Sequence, residues 1–494
     1  MQEKKYLIFD YGASHGRCLV AKFDGSTFCM ELVHDYDNRP VWYGGTFYWD
    51  ILRLASELNI GLLKAFKKYP DIASVGIDTW GCDFGFLDKQ GRLLANPANY
   101  RDEWRHAYKG ELDERIGEYE IFKSGGANTN PIMSIYYLYA LRQKDATELK
   151  YADKFMMIPD LLNYYLTGEA ANEYTDATMS LLIDQEKKCW NKELIRKIGI
   201  SEDIFLEIRK PGTILGNLRE SLCRELDIPR FPVVSVASHD TASAIAGVPL
   251  GANEKDWGFI SLGTWAIFGR ETDEIKNGMD VFLSGFANQG GVEGKNNFVN
   301  LLTGLWIIQQ CQECWSRERG EKVGWDEIVQ AASASPQGSA FIDVQDPAFA
   351  LANPNMPRVI MEYCRQKGQT APGSMGEVAR VVYESMVMKF TECLRNVTSI
   401  MQRPLDIIHV FGGGVQNRML CQWMADAMDT LIKAGPVETT SVGNLLMQMK
   451  ALEDIGSVNE GRAISAASSE IAEYVPEKRS ALKDRYESYR KLFG

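Results

Sequence analysis

Polar and apolar positions change period in a regular order along this chain. Near the start, Tyr6-Leu-Ile-Phe9, Arg17-Cys-Leu-Val-Ala-Lys-Phe23 and Phe28-Cys-Met-Glu-Leu-Val-His34 predict a hairpin or meander of short strands. The period then shifts: Ile51, Leu54, Leu58, Leu62 and Ala65 recur at helical spacing, so residues 50–66 predict a helix. A strand over 74–78 follows, Asp88-Lys-Gln-Gly91 supplies a hairpin turn, and residues 130–168 read as helical, closed by Thr167-Gly168 as a C-cap. The β-branched run Val233-Val-Ser-Val236 predicts a buried strand. It breaks at Ser238-His-Asp-Thr241 into the small-residue helix start Ala242-Ser-Ala-Ile-Ala246.

After residue 246 the pattern restarts. Trp257-Gly-Phe-Ile-Ser-Leu-Gly-Thr-Trp265 is again strand, glycine turn, strand, like the opening Leu7-Ile-Phe-Asp-Tyr-Gly-Ala-Ser14. A long helix over 374–401 precedes the buried strand 405–411, which runs into Gly412-Gly-Gly414 and a helix over 419–428. Two halves with the same opening predict duplicated α/β domains around a central cleft, 1–246 and 247–494. At 494 residues the chain is too long for one core in any case.

The net charge of −12, without a basic run, argues against nucleic acid or an anionic membrane as partner. The N-terminus enters a strand with no signal-peptide core, and no apolar stretch approaches a membrane span, so a cytoplasmic location is expected. Cys18, Cys29 and Cys223 lie in apolar runs and read as free, buried small hydrophobes. Cys311 and Cys314 share a helical pattern with no second pair or His nearby, which does not suit a metal site.

Several segments could carry chemistry. Asp240 stands at a strand-to-helix junction, where open α/β sheets place their ligands, so it is either a general base or a helix N-cap. Asp10-Tyr-Gly-Ala-Ser-His-Gly-Arg17 is a carboxylate at a strand end before a turn with two glycines. Its backbone N–H groups could approach phosphate, with Asp10 holding a cation and Arg17 offering donors, or it could be an ordinary hairpin turn. Gly263-Thr264 repeats the glycine turn with a hydroxyl and no base. Three consecutive glycines at 412–414 are costly in backbone entropy and suit a flat ligand such as adenosine. Trp80 and Asp83 follow a strand: an aromatic face with a carboxylate suits a polyol, and a core Trp with a turn Asp is the plainer alternative. Phe286-Ala-Asn-Gln-Gly-Gly-Val-Glu-Gly-Lys295 is a polar glycine-rich loop, functional or merely solvated. There is no P-loop lysine motif and no dinucleotide glycine signature, so any nucleotide site here would be a two-turn clamp with Mg²⁺ as the main positive charge.

Taken in order, these segments resemble the FGGY carbohydrate kinases of the actin-like ATPase superfamily over essentially the whole chain. The resemblance implies two ribonuclease-H-like domains, with ATP held between them and sugar bound against the first. Asp10 to Arg17 (through Ala13, Ser14, His15 and Gly16) and Gly263-Thr264 then correspond to the two phosphate loops, and Gly413 to Asn417 to the adenosine segment. Asp240 corresponds to the catalytic base, and Asp10 to the Mg²⁺ anchor through water. Within the family, Gly76-Ile-Asp-Thr-Trp-Gly-Cys-Asp-Phe84, Glu173-Tyr-Thr-Asp-Ala-Thr178, Ser238-His-Asp-Thr-Ala-Ser243 and Gly304-Leu-Trp-Ile-Ile-Gln309 are most similar to the L-rhamnulose kinases. That similarity implies ATP-dependent phosphorylation of L-rhamnulose at its 1-hydroxyl. It assigns Trp80, Gly81, Asp83, His239, Asp240, Thr241 and Asn300 to the sugar and Gln309 to the nucleotide, in a monomer or homodimer. His15 stands where the family usually has Ser or Thr, and Leu301 where these kinases have Asn. Another ketose, L-fuculose or L-xylulose, is the alternative substrate, and a non-kinase actin-like ATPase the alternative class.

Overall fold

The computed structural model describes residues 3–251, 254–477 and 479–493. Two compact units emerge. The first comprises Met1–Ala252, Glu271–Phe298 and Glu438–Ser469; the second comprises Asn253–Arg270, Val299–Val437 and Glu470–Gly494. A single cut near residue 246 was expected. The change of unit does begin close to there, but two later segments return to the first unit.

In the first unit the opening meander is β1 (Lys4–Tyr11), β2 (His15–Phe23) and β3 (Phe28–Asp37). Helix α1 (Ile51–Lys68) follows, with Asp50 capping it through Arg53 N–H at 3.1 Å. Strands β4 (Ile72–Thr79), β5 (Thr213–Asn217) and β6 (Pro232–Ser235) complete a sheet of order β5-β6-β4-β1-β2-β3, in which β1, β4 and β6 are parallel. Period-2 alternation sends the two faces of β1 into different cores. Leu7 and Phe9 pack with Leu54, Leu58 and Leu62 of α1, while Tyr6 and Ile8 pack with Val442, Leu445 and Leu446. Those last three belong to helix Thr439–Ala451, and the need to cover the second sheet face explains why this late segment joins the first unit.

The second unit repeats the opening. Strands β7 (Trp257–Leu262) and β8 (Trp265–Thr272) form an antiparallel pair, and β9 (Ile407–Phe411) and β10 (Leu431–Ala434) lie parallel beyond β7. The long helix is Met375–Met401, closed at its start by a capping box of Ser374 and Glu377.

Residues 130–168, expected to be helical, are helical only in part. They form helices Ser134–Gln143, Thr147–Tyr151 and Ile158–Thr167, with strand Lys154–Met157 inserted. The chain breaks at Asp145, whose φ is +49°, and Lys154–Met157 pairs antiparallel with Phe84–Leu87. The predicted cap holds, with Gly168 at φ +83°. Cys29, expected to be buried, is exposed on β3. No helix among the described residues is long and apolar enough to cross a membrane.

Candidate active site

Sheet register builds the centre of the first unit. Asp10 pairs with Arg17 across the β1–β2 hairpin and with Asp78 across the parallel β1–β4 ladder. A parallel bridge between Thr79 and His239 brings the end of β6 alongside, and Asp240 with it. Three carboxylates therefore gather beyond the carboxyl ends of adjacent parallel strands, the position where such sheets bind ligands. Asp10 Oδ2 accepts from Arg17 Nη2 at 2.9 Å and from Ser441 Oγ at 2.9 Å, and Arg17 also pairs with Glu438. Asp78 is fully buried and accepts from Asn444 Nδ2 at 2.6 Å. Burial, then the charges of Asp10 and Asp240, hold its carboxyl well above the usual range.

The structure removes one of the two readings of Asp240, the helix N-cap. Helix α2 (Asp240–Ala246) has His239 as its N-cap residue, and Asp240 is the first helical residue with no capping bond. Its side chain accepts from Thr241 Oγ1 at 3.1 Å and keeps 34% of its surface exposed. Burial, with Asp10 second, pushes its pKa up to about 6. A half-open carboxylate near neutrality is what a general base requires. Burial holds the neighbouring imidazole of His239 down to about 4, so it is neutral.

Ser441, Asn444 and Gln448, which complete this centre, were missed by reading the sequence. The signal was present: they recur at helical spacing as a polar stripe on helix α3 (Thr439–Ala451). That helix meets α2 backbone to backbone, since a Cβ on Gly443 would lie 1.7 Å from Ser243 O.

Trp80 and Asp83, expected to face a sugar, instead form a closed hub, which corrects the expectation of direct contact. Asp83 is 0% exposed; its Oδ2 accepts from Trp49 Nε1 at 2.6 Å, Trp80 Nε1 at 2.8 Å and Tyr100 N–H at 3.2 Å, and its Oδ1 from Arg105. The Trp49 and Trp80 rings pack at 4.1 Å. Both oxygens are spoken for, and the hub shapes the strand end rather than offering an acceptor. Gly81 lies between this hub and His239: a Cβ there would come within 2.8 Å of Met179 and 3.1 Å of the His239 ring.

The turn after β1 is shaped by Asn38, whose amide donates to Gly12 O at 2.9 Å while its N–H donates to Ser14 O at 3.0 Å. Ser14 and His15 are exposed and Ala13 half-buried. Gly16 has a packing reason of its own, because a Cβ would strike the Tyr36 ring at 2.4 Å.

In the second unit, Gly263-Thr264 and Gly412-Gly-Gly414 end the adjacent parallel strands β7 and β9. Gly412 needs its φ of +87°, and a Cβ on Gly414 would meet the Leu262 side chain at 2.3 Å. Gly413 has neither constraint: it is exposed and nothing lies within 4 Å of where its Cβ would be. Asn417 caps helix Arg418–Met428 through Leu420 N–H at 3.0 Å. Thr264 O accepts from Gly304 and Trp306 N–H, leaving the threonine exposed, with Gln309 half-buried on the helix that follows and Asn300 buried in strand Asn296–Thr303. Among the described residues no three His, Cys, Asp or Glu side chains converge closely enough to hold a metal directly.

Comparison with known proteins identifies the family. Residues 6–247 match the N-terminal domain, and 258–452 the C-terminal domain, of the FGGY family of carbohydrate kinases. A rhamnulokinase of Enterococcus faecalis is 34% identical over 99% of this chain and 98% of its own, and one of Bacteroides thetaiotaomicron 32% identical over 98% of each. Among solved structures, a ligand-bound xylulose kinase from Lactobacillus acidophilus superposes with a TM-score of 0.83 at 15% identity, covering 99% of this chain and 97% of that one. Plasmodium falciparum glycerol kinase with ADP gives 0.79 at 16%, covering 99% and 98%; both carry the fold, two ribonuclease-H-like domains. With its matched domains and its full-length relatives, the chain belongs to the FGGY family of carbohydrate kinases.

Proposed function

We propose that this protein transfers the γ-phosphoryl group of ATP to the 1-hydroxyl of L-rhamnulose, in the cytoplasm, as a monomer or homodimer. The observation that carries the reading is Asp240: a non-capping carboxylate with one open face and a pKa of about 6, beside Asp10. The full-length rhamnulokinase relatives supply the sugar. Asp240 accepts the proton of the attacking hydroxyl as its oxygen bonds to the γ-phosphorus and the bond from phosphorus to the ADP oxygen breaks. His239 and Thr241, flanking the base, hold the ketose, with Gly81 letting the His239 ring pack close beside the strand end and with Gly81 and Asn300 assigned to the sugar by resemblance. Backbone N–H groups of Ala13 to Arg17 and of Gly263-Thr264 receive phosphate oxygens, while Gly413, Asn417 and Gln309 receive the adenosine.

The chain fits Mg²⁺ as a hydrated ion. Among the described residues Asp10 Oδ1 takes no hydrogen bond, and Arg17, the cation beside Asp10 and Asp78, is shared with Glu438. Asp10 would hold the ion, and the metal would supply the countercharge that phosphoryl transfer requires. The test is ADP release by the purified protein across a ketose panel, with and without excess EDTA. L-rhamnulose should give the highest kcat/KM, and EDTA should abolish turnover. L-fuculose or L-xylulose working about tenfold better than L-rhamnulose would reassign the sugar and leave the kinase standing. ADP release independent of any ketose would support an actin-like ATPase instead.

A further inference from the structure

We infer that Glu173 is a positioning residue for the base: its carboxylate fastens the Ser238-His239 backbone and so sets where Asp240 stands. This rests on Asp240 being the base. Glu173 is 1% exposed, and it caps the short helix Tyr174–Ala177 through Thr175 N–H at 2.9 Å and Asp176 N–H at 3.2 Å. A cap needs no more than that. Yet Glu173 Oε2 also accepts from Ser238 N–H at 3.1 Å, across 65 residues of sequence, and from Thr175 Oγ1 at 2.5 Å. That same threonine oxygen accepts from His239 N–H at 3.2 Å. Two successive amides immediately before Asp240 thus hang on one carboxylate, directly and through one hydroxyl. From behind, Asp160 accepts Glu173 N–H at 3.1 Å and Asn172 Nδ2 at 3.0 Å, while Thr79 N–H binds Ser238 O at 2.8 Å from the other side.

Burial raises the Glu173 carboxyl to about 7, against the four bonds that favour its charged form. The titratable groups around it are Asp160, Tyr174 and Asp176, the last facing Asp240 and Asp83 as well. Protonation of Glu173 removes acceptor capacity from the Ser238 amide, so acidification loosens the base as well as protonating it. The acid limb of the rate profile then carries two protons, one from Glu173 near 7 and one from Asp240 near 6.

Glu173→Gln imitates the protonated state. It should lower kcat on the order of 10–100-fold, the effect of a slightly misplaced catalytic group. KM for sugar and for ATP should stay within about threefold. Its acid limb should fall to a single proton centred near 6, a change that a merely stabilising role would not produce. A folded Glu173→Gln protein with wild-type kcat and a two-proton limb would overturn the assignment, as would a loss confined to sugar KM. Should Glu173→Gln not fold, Thr175→Val and Thr175→Ser decide: the serine should keep kcat and the valine lose it, and equal kcat in both would refute the relay. The underlying reading fails elsewhere, by full turnover in Asp240→Asn, so the two failures are separable.

Discussion

At the scale of single residues, what matters is which oxygen remains open. Asp240 keeps an exposed face and Asp83 keeps none. Asp240→Asn should retain sugar and ATP binding and lose turnover on the order of 10²–10⁴-fold, the usual range for a positioned base; normal kcat in a folded variant would remove the assignment. The base works only when deprotonated. Since Asp240 is raised from 3.8 to about 6, kcat/KM should drop as pH falls through that region, far above where an ordinary aspartate titrates. Asp83→Ala acts differently. It strands the Arg105 guanidinium, two buried indole N–H groups and the part-buried Tyr100 N–H, and breaking a buried pair from one side costs on the order of 3–5 kcal/mol. Urea unfolding should show that loss; a variant as stable as the parent with only a raised sugar KM would restore Asp83 to direct contact.

At the scale of elements, glycines separate packing from binding. Gly443 lets helices α2 and α3 touch, and the Cβ of Gly443→Ala would press on the Ser243 carbonyl at 1.7 Å. Overpacking of this kind costs about 1–3 kcal/mol, and because α2 begins with Asp240, kcat should fall too. Gly413→Ala meets nothing within 4 Å and lies outside the positive-φ region, so its stability should change by less than about 0.5 kcal/mol. If adenosine lies on that backbone, KM for ATP should still rise several-fold. An unchanged KM for ATP would take the triple-glycine turn out of the nucleotide site. The strands and the long capped helix were legible because their signals are local: alternation, period and the Ser374–Glu377 box. The division of residues 130–168 was not, because Lys154–Met157 becomes a strand only by pairing with Phe84–Leu87, some seventy residues earlier.

At the scale of the molecule, the first unit is completed by chain that comes almost two hundred residues after its apparent end. A fragment of residues 1–246 should therefore lack a cooperative unfolding transition. It leaves Tyr6, Ile8, Val234 and Val236 uncovered where Val442, Leu445 and Leu446 belong, and Asp78 without Asn444. A sharp, native-like transition for that fragment would show that α3 is dispensable. The sequence by itself determined the doubled strand–turn–strand plan, the glycine turns, and the placing of Asp10 and Asp240 at strand ends, because each is written in neighbouring residues. Only the tertiary structure decided that Asp240 does not cap its helix, that Asp83 is saturated, and that Ser441 and Asn444 reach Asp10 and Asp78 across 431 and 366 residues. Whether a polar atom is open or satisfied depends on what distant chain folds against it, and no local pattern records that.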